Sequence, residues 1–463
     1  MKSMIMMVPR GRDDEIYIRL VSSCRDRDQK SRGPITRDTA KGPTQEYCAY
    51  IYTNLNLSGI GRRLIDRFRL FFNKHVISKL IRLGNKDAAT IPLVAVEQVG
   101  VKWSRYQDYL ATFLDGSKEP DRMTDRLFET ISPGLQELFS GRKLADRPVR
   151  VWWTCEPPEL EDLPWELLAY RRRDPSPDFS FVRGQPPSTP VPKVPLSGPL
   201  RLAFVHDPSF TPPWLQTALT SLEPGIQVIE LAMPPRQALE TAVREGYELV
   251  HLVADGLVSL AYEGVLYLCG TTSPEISASE LSSIFKGSRV SVLSLTEPET
   301  QKPDTVRIGR YEVPSVYRGF AYLNRATFPL PNIVAPLGPH HPEQMVPFWH
   351  NFYTALNESL QVEKAMAEGR GAGPPVAMAL YLRQSQRLTF KRLKPGQKAP
   401  AVDPSQVYTD LQQSREMVSQ LKTLEKSGDM PESVKRFLDK ESARQVKLKA
   451  DLDPWTKGED DKS

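Results

Sequence analysis

The stretch HLVADG, residues 251–256, places a single carboxylate at the end of an apolar run. The run from Leu249 to Val253 predicts a buried strand, and Asp255 follows it after one alanine. The carboxyl-terminal tip of such a strand is where α/β proteins carry functional side chains. An aspartate with an ordinary pKa of about 3.9 is a poor base for an alcohol, so chemistry at Asp255 needs a second group.

A second apolar run ends on a hydroxyl. The strand predicted for 289–295 is followed by Thr296 and Glu297. A threonine nucleophile usually takes a free N-terminal amine as its base, and Thr296 is internal. A dyad of carboxylates from Asp255 and Glu297 is also disfavoured, because neighbouring strand residues such as Thr296 and Glu297 point to opposite faces. The pattern favours an inert pocket in which Asp255 and Thr296 hydrogen-bond each other or water.

His251 and Cys269 form an alternative, displaced dyad of a base and a thiol. His251 has the same strand parity as Asp255, so both side chains are expected on one face. The competing interpretation is a half-buried strand histidine and a cysteine that packs as a small apolar side chain. The other histidines lack the spacing of metal ligands, and no phosphate-binding glycine loop is present. We therefore predict neither a metal nor another cofactor.

Regular alternation of strands and helices fills the middle of the chain. Strands are predicted at 200–205, 227–231, 248–254, 289–295 and 331–336, and helices at 213–222, 235–245 and 342–356, with a capping box before another helix at Ser277 and Glu280. Helices of this length between strands favour a largely parallel sheet that is covered on both faces. The predicted fold class is α/β, with a three-layer α/β/α domain.

The remaining segments divide the chain into further regions. An N-terminal α+β region is predicted for 1–148, a block with a proline-rich linker for 149–196, the α/β/α domain for 197–392, a linker for 393–404 and a helical arm for 405–463. In the arm, Val407, Leu411, Ser414, Val418 and Leu421 follow a coiled-coil seam. The arm is expected either to pack back on the α/β domain or to dock a partner protein.

One predicted helix of the N-terminal region, 62–82, has a basic face. Arg62, Arg63 and Arg67 begin that face, and the aromatic residues fall on the apolar stripe. The face is consistent with an anion surface for nucleic acid, or with solvated arginines on a helix that packs by its other side. The formal net charge of +5 over 463 residues is too small to favour nucleic acid.

Cysteine usage and hydropathy bear on the compartment. The four cysteines are scattered without a CxxC pair, no run of eighteen apolar residues occurs, and the first residues lack the pattern of a signal peptide. We expect a cytoplasmic protein with free thiols and no membrane span.

Several blocks, in order, resemble CHAT-type caspase-like peptidase domains. ELEDLPWELLAY (159–170) looks like the LPWELL block that precedes them, and LRLAFVHDP resembles their first core strand. VHLVADG aligns with the strand that reads like HFAGHG, SVLSLTEPE with the strand that reads like VLNACES, and FWHNFYTALNESLQVEKAMAEGR with the helices that follow. The likeness covers about residues 15–390.

The resemblance implies a clan CD cysteine peptidase fold with a degenerate dyad. Family members carry a histidine and a cysteine at the tips of adjacent strands, and these fall here on Asp255 and Thr296. The implied protein is a catalytically inactive pseudo-peptidase that acts as a scaffold or regulatory subunit for protein partners in bacterial defence or signalling. The alternatives are an active peptidase with a rearranged nucleophile and a nucleic-acid-associated factor that uses the helix 62–82.

Overall fold

The computed structural model describes residues 15–21, 35–39, 42–53, 93–102 and, with short gaps, 149–456. The helix predicted for 62–82 lies outside these residues. The described strands are β1 Glu15–Val21, β2 Ile35–Thr39, β3 Gly42–Thr53, β4 Leu93–Lys102, β5 Val149–Cys155, β6 Tyr170–Arg171, β7 Asp174–Pro175, β8 Phe179–Arg183, β9 Val194–Leu196, β10 Leu200–Val205, β11 Ile226–Glu230, β12 Leu249–Val253, β13 Asp255–Val258, β14 Gly264–Tyr267, β15 Glu275–Ser277, β16 Val292–Thr296, β17 Thr305–Ile308, β18 Tyr311–Pro314, β19 Asn332–Pro336, β20 Met378–Tyr381 and β21 Phe390–Arg392. The described helices are α1 Pro213–Thr220, α2 Pro235–Arg244, α3 Ala278–Phe285, α4 Pro342–Ser359, α5 Val362–Gly371, α6 Pro404–Glu425 and α7 Glu432–Thr456, with a 3₁₀ helix at Trp165–Ala169.

One mixed sheet of 12 strands organises the molecule. Its order is β11-β10-β12-β16-β19-β20-β8-β5-β1-β3-β2, and β4 pairs with β3. The strands from β11 to β19 are mutually parallel, as their alternation with helices predicts. β20 runs antiparallel to β19, and the β1–β4 segment adds antiparallel pairs at the far edge. The predicted α/β class with a largely parallel sheet is confirmed.

Alternate residues of the central strands enter two separate apolar cores. Val250 and Leu252 belong to the core under α2 and α3, whereas Leu249 and Val253 belong to the core under α1, α4 and α5. The same alternation separates Leu293 from Val292. Because successive side chains of a strand point to opposite faces, helices cover both sides of this sheet. The arrangement is compatible with three α/β/α layers.

The block that contains Trp165 belongs to the same sheet. β5 pairs with β8 and with β1, and β8 meets β20 at Arg183 and Tyr381. Trp165 is fully buried against Trp153, with ring centroids 4.8 Å apart, and Glu166 accepts hydrogen bonds from Arg183 at 2.6 and 2.9 Å. The regions predicted on either side of 148 and of 196 therefore contribute strands to one sheet, and the division into domains stays a prediction.

A small antiparallel sheet follows β12. β13, β14 and β15 form it, and the register pairs Asp255 with Tyr267. This three-stranded unit begins at Asp255. Gly264 and Gly319 allow this unit to approach its neighbours closely, because an added Cβ at either position would lie under 3 Å from backbone atoms.

The capping box predicted for α3 is present. Ser277 accepts the N–H of Glu280 at 3.2 Å, and the Glu280 carboxylate accepts the N–H of Ser277 at 3.1 Å. Replacing Ser277 with alanine is expected to lower the free energy of unfolding by about 1 kcal/mol, because one orphan N–H loses its acceptor. Urea denaturation measures the loss. Ser283→Ala, an exposed site in the same helix, is the matched control, and an equal loss there would contradict the capping role.

The C-terminal arm is a helical hairpin anchored at one end. Arg289 pairs with Asp403 at 3.3 Å before α6, and the Trp455 carbonyl near the end of α7 accepts the Lys193 N–H at 3.1 Å. At the same end, α6 and α7 share a small apolar cluster of Val407, Leu411 and Leu452. The base of the hairpin therefore packs on the α/β domain, as one of the two interpretations expected.

Candidate functional site

The two strands that carry the candidate positions lie side by side. β12 and β16 are parallel, and Val253 is opposite Thr296 in the register. The Ala254 N–H donates to the Thr296 carbonyl at 3.0 Å, so the pairing reaches the last residue of β16. The carboxyl-terminal tips of the two strands consequently meet at one edge of the sheet, and Asp255 and Thr296 begin from neighbouring points.

Asp255 leaves the main sheet at this edge. It is the first residue of β13, which belongs to the small antiparallel sheet, and its side chain is half-buried. Asp255 was expected on the same face as His251 because one continuous strand would carry both residues. The chain instead passes from β12 into β13 after Ala254, so the alternation of β12 does not set the direction of the Asp255 side chain. Glu297, which follows the tip of β16, is also half-buried.

Thr296 has its hydroxyl directed into the core. The residue is 1% exposed, and its Oγ1 lies 2.9 Å from Nε2 of His251. His251 pairs with Ser294 in the ladder, so Thr296 is the diagonal neighbour of His251 on the same face. The hydroxyl of Thr296, the residue that the resemblance aligns with the family cysteine, is thus hydrogen-bonded to the buried strand histidine, His251.

His251 has a second hydrogen-bond partner on a helix. Its Nδ1 lies 2.8 Å from the Tyr353 hydroxyl of α4, and all of these groups are buried. Trp349, one turn earlier, meets the imidazole edge-on at 4.6 Å between centroids, and Phe204 of β10 meets it at 6.1 Å. Thr296, His251 and Tyr353 therefore form a continuous chain of hydrogen bonds inside an aromatic wall.

Burial sets the protonation of this chain. Desolvation, with a smaller contribution from the nearby His206, lowers the pKa of His251 from 6.5 to about 3. Burial likewise raises the pKa of Tyr353 above its ordinary value, which the neighbouring Ser294 partly offsets. His251 is consequently neutral at pH 7, with one ring nitrogen donating and the other accepting. A base this weak gives little driving force for deprotonating a threonine hydroxyl.

His206 lies at the tip of the adjacent strand β10. It stacks on Phe204 at 3.9 Å, and its Nε2 lies 2.9 Å from a carboxylate oxygen of Glu230. Its Nδ1 lies 2.6 Å from the hydroxyl of Thr211, which donates its own hydrogen to the Asp207 carbonyl. Both ring nitrogens therefore face side-chain oxygen atoms. These contacts hold the loop between β10 and α1 against β11.

Several predicted site residues fall outside the residues that the structure describes. Cys269 is one of them, so the displaced dyad with His251 stays a prediction. Arg62, Arg63 and Arg67 are the others, so the anion surface also stays a prediction. Cys155 is half-buried, and its sulfur accepts a hydrogen bond from Trp153 at 3.2 Å.

In the described part of the chain, no group of three or more histidine, cysteine, aspartate or glutamate side chains is arranged to hold a metal ion. None of the helices in that part has the length and apolarity that a bilayer crossing requires.

Sequence reasoning missed the helix residues of the site. Tyr353 and Trp349 stand about a hundred residues from His251 and read as part of the apolar face of a long helix. The only available signal was the strand parity of His251, which places it on the face that α4 covers.

No protein-family model matches the chain, and no curated protein matches it.

Proposed function

We propose that this chain is a catalytically inactive CHAT-like pseudo-peptidase that acts as a scaffold or regulatory subunit for protein partners in a bacterial defence or signalling system. The proposal takes its family from the ordered sequence blocks. The adjacent tips of β12 and β16 support it, because the resemblance implies a dyad at the tips of neighbouring strands. The caspase-like identity of the three-layer fold is part of this proposal.

The state of Thr296 and His251 carries the argument for inactivity. The position of the family cysteine holds a hydroxyl that is 1% exposed and bonded to a neutral imidazole. A nucleophile must reach a substrate carbonyl and lose its proton, and Thr296 meets neither condition. Asp255, at the position of the family histidine, belongs to a different sheet from Thr296.

We infer that the edge formed by the tips of β12 and β16 binds a partner protein. Half-buried Asp255 and Glu297 follow the two strand tips, and we propose that they border the groove in which a partner segment binds. A cleft of this kind suits a peptide or loop of a partner protein, an active peptidase or an effector, that is held without being cut. The second contact we propose for such a partner is the C-terminal hairpin.

A peptide-cleavage assay tests the proposal. Purified full-length protein is incubated with a broad library of fluorogenic peptides, together with Thr296→Ala and Cys269→Ala as matched variants. We expect no turnover above the buffer rate for any of the three. Cleavage that Thr296→Ala abolishes would overturn the assignment of an inert site, and cleavage that Cys269→Ala alone abolishes would establish the displaced thiol as the nucleophile.

A further inference from the structure

The distal half of the C-terminal hairpin exposes apolar side chains. Of the six large apolar side chains that the described residues expose, four lie on this hairpin: Met417 and Leu424 on α6, and Phe437 and Val446 on α7. Three of them, Met417, Leu424 and Phe437, lie toward the turn between the helices, away from the base that packs on the α/β domain. Such clustering marks a contact surface more often than isolated exposed residues do.

These three side chains lie on one side of the hairpin. Asp410 of α6 and Arg444 of α7 meet across that side at 4.0 Å. Met417 and Leu424 follow Asp410 at intervals of seven residues, and Phe437 precedes Arg444 by seven, so all three continue the same stripe toward the turn. Val446, only two residues beyond Arg444, points to the opposite side. We call Met417, Leu424 and Phe437 the distal stripe.

The seam between the helices next to this stripe mixes apolar and polar side chains. Val418 and Leu438 are buried in it together with Ser414 and Glu441. The hydroxyl of Ser414 and the Nε2 of Gln445 are buried without a hydrogen-bond partner. Buried polar atoms without partners lower the stability of a seam, and Val418 and Leu438 are the apolar side chains that the described hairpin buries beside the stripe. Its distal half gains by covering the distal stripe with another apolar surface.

A basic column borders the stripe on α7. Arg436, Lys440, Arg444 and Lys447 are exposed and recur at intervals of four, four and three residues, beside Phe437. Arg436 pairs with Glu432 at 3.8 Å and Arg444 with Glu441 at 3.2 Å, and the column of four cations keeps a positive excess over these carboxylates. The corresponding border of α6 carries the neutral side chains Gln413 and Gln420. An apolar stripe with one basic and one neutral border is complementary to an amphipathic helix that carries carboxylates along one edge.

We propose that the distal stripe is the docking site for an acidic amphipathic helix of a partner protein. The helix would lie in the groove between α6 and α7, complete a three-helix bundle, and place its carboxylates against the basic column. This inference rests on the proposed scaffold function and names its partner chemistry. It is separable from the inertness of Thr296, because the hairpin carries none of the residues at the strand tips.

A display selection tests the site without knowledge of the natural partner. The probe is a library of peptides of about 20 residues with a fixed leucine stripe at helical spacing and border positions drawn from glutamate, lysine and glutamine. Full-length protein is the bait. We expect the selected peptides to carry glutamate along one border. Their affinity for the Phe437→Glu variant is expected to be at least about tenfold lower than for the wild type. The matched control, Val446→Glu on the opposite side, is expected to leave the affinity unchanged.

Other outcomes would overturn the site. Three results of the selection would each exclude the docking site. They are selected peptides with lysine along the border, no enrichment of any peptide, and selected peptides that bind Phe437→Glu as tightly as the wild type. The remaining alternative is that a second copy of the chain covers the distal stripe, which sedimentation equilibrium tests. A dimer that dissociates in Phe437→Glu and persists in Val446→Glu would assign the stripe to a second copy. A peptide-cleaving protein that still selects acidic helices would refute the inert site and leave the docking site standing.

Discussion

Replacing Glu363 with alanine is expected to lower the free energy of unfolding by about 3 to 5 kcal/mol. Glu363 begins α5 and is buried, and it accepts two hydrogen bonds from the guanidinium of Arg150 on β5, one of them at 2.7 Å from Nε. It also accepts the Ser180 hydroxyl at 2.9 Å. The substitution leaves the buried Arg150 charge without its carboxylate, and that uncompensated charge is the source of the loss. Urea denaturation followed by tryptophan fluorescence measures it.

The double variant Arg150→Met with Glu363→Leu is the control for this effect. It removes both charges and keeps similar volumes, so it is expected to recover most of the lost stability. The ion pair joins β5 to α5, so its loss is expected to destabilise the whole sheet. A single variant Glu363→Ala as stable as the wild type would contradict the buried pair.

Acidification is expected to destabilise the protein through His251. The imidazole has a pKa of about 3 in the folded chain and an ordinary value of 6.5 in the unfolded chain. Between these values the unfolded state binds the proton and the folded state does not, so the stability is complete above about pH 6.5 and is lost as the pH falls toward 3. At pH 4 the expected loss from this one group is about 3 kcal/mol relative to pH 7.

His251→Gln isolates that contribution, because glutamine keeps a hydrogen-bonding side chain and does not titrate. The difference in unfolding free energy between wild type and variant is expected to shrink by about 3 kcal/mol from pH 7 to pH 4. Denaturant midpoints at each pH provide the measurement. Parallel pH profiles for the two proteins would show that His251 keeps its ordinary pKa after folding.

The parallel half of the sheet is the part of the fold that the sequence predicts well. The runs at 200–205 and 331–336 are apolar on both faces, as strands between two helical layers must be, and they differ from β10 and β19 by one residue at most. The capping box before α3 is equally local, since both of its members stand within four residues. Such features need no knowledge of distant contacts.

The site depends on contacts that the sequence does not reveal. Thr296 and Asp255 were expected to share one pocket, and β12, which leads to Asp255, is indeed the neighbour of β16, which ends at Thr296. The partner that Thr296 meets, however, is His251, whose own second partner Tyr353 comes from a helix a hundred residues away. The turn of the chain at Ala254 into another sheet is also a tertiary event. The alternation of side chains predicts which face of the sheet a residue occupies only within one continuous strand.

The ionisation state of the His251 ring decides whether Thr296 has a usable base. Imidazole nitrogen and carbon chemical shifts of histidine-labelled full-length protein, with the signal of this residue identified by its loss in His251→Gln, report the protonation state of the ring at each pH. The account predicts a neutral ring in one tautomer from pH 8 down to about pH 4.5. A transition to the imidazolium form with a midpoint between about pH 6 and 7 would contradict it, because an imidazole that titrates there is able to serve Thr296 as a base.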